Sequence, residues 1–326
     1  MLLTLPLILF IVLTELSIGA FTVLYLLDWR NQVKRSFLVT YAIIYVILSG
    51  LTVLFQQSFA TPGLLNTFGL LDKGWTGYLP LTLLLFLLLM LPYTIFLWFD
   101  KRAGVDGKKK AEGEGAKRSL LRILRMTCGG LAILAGLATL LVLGMIFRPL
   151  ATSSIAGAIT VGSFFASALA LGGVMTAMWL GHWYLVTPAL SEKPLQFATT
   201  LVLIGVLVQL AFTFTSGSAF AASPASNTVK PAATATSTPA VSAATPVPKA
   251  QVKPPGAPVV TPLGTDAISW LRILVAFILP LALLGFILKL VHDRSFQSAT
   301  GMLYLVVVLT LAGEAMARAL FLMGLQ

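Results

Sequence analysis

Long apolar runs separated by short polar breaks make up most of the chain. They fall at about Leu5 to Leu27, Phe37 to Phe55, Leu79 to Phe99, Leu120 onward, Ile155 to Leu180, Phe197 to Ser216, Ile268 to Leu290 and Met302 to Met323. A bilayer core is about 30 Å thick, so a spanning helix needs roughly 20 apolar residues rising about 1.5 Å each. The pattern predicts an all-α integral membrane protein, with eight transmembrane helices in one bundle and both termini on the same side. It divides into a six-helix part (residues 1–216), a linker (217–265) and a two-helix part (266–326) that packs on the first. The linker is rich in Ala, Pro, Thr and Ser and has no apolar periodicity, so it is expected to be disordered. Within it, Ala219-Phe220-Ala221 after an apolar helix resembles a signal-peptidase site, although such a match also arises by chance in an alanine-rich tract.

Composition agrees with the pattern: 58% of residues are hydrophobic and 10% charged, with a mean hydropathy of +0.94. No soluble domain needs that much apolar surface. The charge adds orientation, because basic residues are retained on the cytoplasmic side of a membrane. Breaks after the odd-numbered helices hold Arg30, Lys34, Arg35, Lys101, Arg102, Lys108, Lys109, Lys110, Lys117, Arg118, Lys193, Lys289 and Arg294. The opposite breaks hold only Lys73 and Arg148, with Lys230, Lys249 and Lys253 in the linker. This places both termini outside the plasma (inner) membrane. It also accounts for the net charge of +11 without a nucleic-acid partner. The first helix lacks a basic segment before it and is too long for a signal peptide, so it reads as a permanent anchor.

Chemistry is expected where charge interrupts the apolar runs. Glu15 lies about ten residues into the first helix, roughly 15 Å along its axis. Glu314 lies at nearly the same depth in the last helix, with Arg318 one turn further on the same face. Arg272 and Gln209 sit near the outer ends of helices seven and six, completing a polar layer in the outward half. A charge at a helix centre costs about 2.5–3.5 kcal/mol even on the lenient scale. The layer is therefore either a structural ion pair that fixes helix register, with Glu15 protonated, or a protonatable site.

The segment Gly181-His182-Trp183-Tyr184 ends the fifth helix. Trp183 and Tyr184 suit an interfacial belt, and His182 suits a head-group or partner contact. His292 is expected on the same side, but both histidines lie too near the membrane edge to hold a deep haem. The single cysteine, Cys128, precludes a cysteine-ligated cluster in this chain. Small residues at spacing four in helix five, Ala158, Gly162, Ala166 and Ala170, allow close approach of another helix.

Two chemistries suit the buried layer. A quinol releases two protons with two electrons, so its site needs a carboxylate, Glu314 or Glu15, and donors to a ring oxygen, Arg318, Arg272 or Gln209. A proton-coupled small-molecule transporter would use the same groups as a relay, and Pro280 would kink its seventh helix. A structural membrane subunit without its own chemistry is the third reading.

The run Leu5-Pro6-Leu7-Ile8-Leu9-Phe10, continuing through Glu15 to Gly19-Ala20-Phe21, resembles the opening helix of membrane-anchor subunits of the dimethyl sulfoxide reductase and polysulfide reductase type. The run Ala312-Gly313-Glu314-Ala315-Met316-Ala317-Arg318-Ala319-Leu320-Phe321 resembles the Gly-Glu-x-x-x-Arg-x-x-Phe pattern of their last helix. That resemblance covers about 40 residues. It implies a haem-free subunit of an oxidoreductase complex that binds menaquinol near the outer face and passes electrons to iron–sulfur and catalytic subunits. Glu314 and Arg318 carry it most directly. The linker and the Gly-His-Trp-Tyr segment depart from it.

Overall fold

The computed structural model describes residues 4–105, 120–151, 153–187, 190–215 and 270–323. The disordered-linker expectation, the Ala219-Phe220-Ala221 site and the Lys108-Lys109-Lys110 loop lie outside these residues.

Among the described residues eight helical segments are long and apolar enough to cross a membrane, and their main helices are numbered here in chain order. They are α1 (Thr4–Arg30), α2 (Arg35–Phe59), α3 (Tyr78–Phe99), α4 (Leu120–Phe147), α5 (Ser154–Val186), α6 (Lys193–Thr215), α7 (Leu279–His292) and α8 (Phe296–Met323). The membrane segment that contains α7 begins earlier, running Trp270–His292. No strand occurs among the described residues. The helices overrun the apolar pattern at their ends. α1 extends to Arg30, which brings Asp28 inside the helix, and α5 extends to Val186, which makes His182 to Tyr184 helical. Such ends are legible only to within a turn, because backbone hydrogen bonding continues past the last apolar residue.

The Glu15–Arg318 contact sets the start of α1 beside the finish of α8, at one end of the bundle. We call this the termini end and the other, with the short basic loops, the basic end. α1 is the interior helix, with 83% of its apolar window buried. It packs on α2, α4, α5 and α8, while α5 bridges to α6 and α8. α3 closes one flank against α2 and α4, and α7 closes the other, mainly against α6 and α8.

The α1–α5 crossing is made by glycine. A Cβ on Gly19 would stand 1.7 Å from Ala168 O, and one on Gly172 would stand 2.0 Å from Ala20 N and Gly19 C. Close backbone approach through small residues is the usual adhesive between membrane helices, where the hydrophobic effect supplies little. The spacing-four residues Gly162 and Ala170 instead face α6, at Phe212 and Gly205.

Pro280 is accommodated by a π-helical segment, Leu274–Ile278, immediately before α7. Proline offers no N–H to the carbonyl four residues back and its ring crowds that carbonyl. The wider turn relieves the crowding, with Leu279 N–H donating to Leu274 O. At the basic end, Gly104 (φ +75°) lets the chain after α3 fold back, and a Cβ there would stand 2.5 Å from Arg35 N. Val105 N–H then donates to Val33 O at 3.0 Å. The Glu192–Arg294 pair (2.9 Å) ties the loops after α5 and α7 together. The Glu192 carboxyl is held below its ordinary range by its own backbone N–H and by Arg294. This exposed pair contributes little to stability.

Candidate functional site: an acid–arginine layer between α1, α6, α7 and α8

Glu15 faces inward because α1 is buried almost all round, and its side chain is fully enclosed. Glu314 and Arg318 share a face of α8, one turn apart, and are 7% and 4% exposed. Arg318 Nη2 donates to Glu15 Oε1 across the helix interface. The same nitrogen lies 2.9 Å from Glu314 Oε1. The pair expected from spacing is therefore a triad, with one guanidinium between two carboxylates. The Arg318 guanidinium also lies 4.1 Å from the Phe164 ring of α5, in cation–π contact. Among the described residues Arg318 Nε makes no hydrogen bond of ordinary length and angle, and Glu15 has the Ser167 hydroxyl beside it.

The second oxygen of Glu314 turns towards α6, where Gln209 Nε2 donates to Oε2 at 2.9 Å. Arg272, in the turn before the π segment, donates from Nη2 to Thr213 Oγ1 at 3.3 Å. A small pocket lies between these groups. Gln209, Arg272 and Glu314 supply its charged and amide lining, Thr310 a hydroxyl, and Ala276, Phe277 and Gly313 its apolar walls. Its volume is about 10 Å³, close to the least that admits one water. The π segment forms one wall, and such bulges recur at functional sites. On the same elements as Gln209 and Arg272, Leu207, Val208, Leu271 and Leu274 are exposed.

The structure thus brings together five residues singled out from the sequence. Glu314, Gln209 and Arg272 line the pocket, while Glu15 sits behind Arg318, away from it. The residues at the end of α5 are elsewhere, at the basic end. There His182 is exposed. Trp183 packs edge-on against Phe37 with ring centroids 5.7 Å apart. Tyr184 lies inside the bundle rather than at its surface: it is 1% exposed, donates to Ser191 O and packs on Phe296 at 4.7 Å. The helix continues through it, and that turn's inner face points at α8.

A second buried ionic cluster escaped sequence reading. Asp28, Asp100 and Arg125 are 0%, 2% and 1% exposed. Arg125 spans both acids, Nε to Asp28 Oδ2 at 3.1 Å and Nη1 to Asp100 Oδ2 at 3.0 Å. Each residue lies within a turn or two of a helix end, so in sequence it reads as a loop charge. The available signal was Arg125, an arginine one turn and more inside an apolar helix. Among the described residues no group of three or more His, Cys, Asp or Glu side chains is arranged to hold a metal.

Comparison of the chain with known protein families, with curated proteins and with solved structures returns no match.

Proposed function

We propose that the chain is a quinone-interacting membrane subunit that takes electrons from a quinol and passes them to an iron–sulfur partner. The observation that carries this reading is the convergence of one carboxylate and two donors, from three different membrane segments, on one pocket. In this reading Glu314 accepts a ring-hydroxyl proton, and Arg272 and Gln209 donate hydrogen bonds to a ring oxygen. Oxidation of the quinol to quinone would release two electrons, taken one at a time by an iron–sulfur partner, and two protons, one to Glu314 and the other to water at the termini end. Arg318 and Glu15 are positioning residues, fixing the Glu314 carboxylate from behind. The pocket is smaller than a quinone ring, so admission requires α7 to move outward. That motion is the least costly in the bundle, because α7 is a flank helix packed mainly on α6 and α8.

The test is quinol-dependent electron flow in membranes carrying Glu314→Gln. Loss of a positioned general base reduces rate by about 10²–10⁴-fold, and a fall of that size with unchanged protein level is the expected result. Wild-type flow in the variant would remove Glu314 from the mechanism. The water-sized pocket favours a second reading, a proton-coupled transporter in which the layer passes protons. Solute uptake driven by a pH gradient, in vesicles holding the purified chain alone, would support that reading over the first.

A further inference from the structure

The buried charges at the two ends of the bundle do not balance in the same way. In the layer described above, Arg318 bridges Glu15 and Glu314, and a second guanidinium, Arg272, lines the same pocket as Glu314. At the basic end, two buried carboxylates share one buried guanidinium.

The acceptors at the basic end can be accounted for one by one. Asp100 Oδ1 accepts from Arg102 N–H at 3.0 Å, and its Oδ2 accepts from Arg125 Nη1 at 3.0 Å. Asp28 Oδ2 accepts from the Tyr93 hydroxyl at 3.1 Å and lies 3.1 Å from Arg125 Nε. Asp28 Oδ1, on a side chain with no exposure, has no partner among the described residues. An ionised carboxylate oxygen left bare in a low-dielectric interior is costly, and a buried group in that position takes a proton or a cation. A metal ion demands several oxygen ligands, whereas one free oxygen is what a proton requires.

We propose that the Asp28–Asp100–Arg125 cluster is a proton-binding site, with Asp28 taking up and releasing one proton at Oδ1 in exchange with solution at the basic end. Uptake forms one O–H bond at the expense of hydronium, moves no electrons, and changes the cluster from one net negative charge to neutral. Water is close at hand, because Asp100 caps α3 and is followed by exposed Lys101 and Arg102. The groups that bear on Asp28 are Arg125 and the exposed Arg122 of α4, Tyr93 of α3, Asp100 beyond it, and Tyr25 of α1. The Tyr25 hydroxyl is already committed to Met126 O at 3.0 Å. This site does not depend on the quinone reading.

The experiment is infrared spectroscopy of the full chain in lipid, with and without ¹³C in the aspartate carboxyls, near neutral pH. Exposed aspartates titrate near 3.9 and are ionised there, and glutamates do not respond to the label. The expected result is a protonated-carboxyl band that moves with the label, moves again in D₂O, disappears in Asp28→Asn and weakens in Asp100→Asn, which leaves Arg125 to Asp28 alone. Absence of a label-sensitive band in the wild type would overturn the proposal with no variant needed. So would its survival in Asp28→Asn, or its indifference to D₂O, which would mean a fixed proton in a structural clamp.

Discussion

A Gly172→Leu chain is expected to yield no folded, monodisperse protein after extraction in mild detergent. A Cβ at that position already falls 2.0 Å from the backbone of α1, so the side chain cannot be accommodated by a rotamer change. The two helices must separate towards the ordinary interaxial distance of about 8–10 Å. α1 also packs on α2, α4 and α8, so moving it opens those interfaces as well. Overpacking a core costs about 1–3 kcal/mol when side chains can shift, and here only backbone is in the way. Native stability is itself about 5–15 kcal/mol. Gly50, whose Cβ would meet nothing within 4 Å, is the control. Gly50→Ala should fold normally and gain up to about 1 kcal/mol of helix stability. Size-exclusion profiles and thermal unfolding of the two variants, side by side, measure the difference.

Arg318→Leu is expected to destabilise the protein by about 3–5 kcal/mol, because it leaves two buried carboxylates without their cation. The thermal midpoint in detergent reads this loss. Adding Glu15→Gln to Arg318→Leu should recover a substantial part of it, since the amide needs no counter-charge. Such non-additivity marks groups that interact directly. If the double variant were as unstable as the single one, the ion pair across α1 and α8 would not be what Arg318 contributes.

The apolar pattern alone was enough to place all eight spans, because lipid imposes one length and one polarity on every crossing. The Glu15, Gln209, Arg272, Glu314 and Arg318 layer was legible for the same reason: a charge among apolar residues stands out, and equal depth puts such charges in one plane. Spacing could join Glu314 to Arg318 but could not reveal that Arg318 also holds Glu15, a pairing made only by tertiary packing. Asp28, Asp100 and Arg125 were hidden because acids and arginines near helix ends have the composition of solvated loops. The Gly19–Gly172 contact was hidden because each glycine has ordinary neighbours, and only the crossing of α1 with α5 gives the two a shared role. Tyr184 showed the converse: an aromatic at a membrane edge fits a belt, yet the turn it occupies points inward.

The pairing of Glu15 with Arg318 has a consequence for how the protein is made. The two residues are 303 positions apart, and a ribosome adds about 5–20 residues per second. The first helix therefore waits roughly 15–60 s in or beside the insertion machinery with an acid whose cation has not yet been synthesised. Only the final helix ends that wait, so chains that stop short of Arg318 carry a lasting mark of incompleteness inside the membrane. A membrane protease that senses polar groups in lipid would find in Glu15 a signal separating unfinished copies from finished ones.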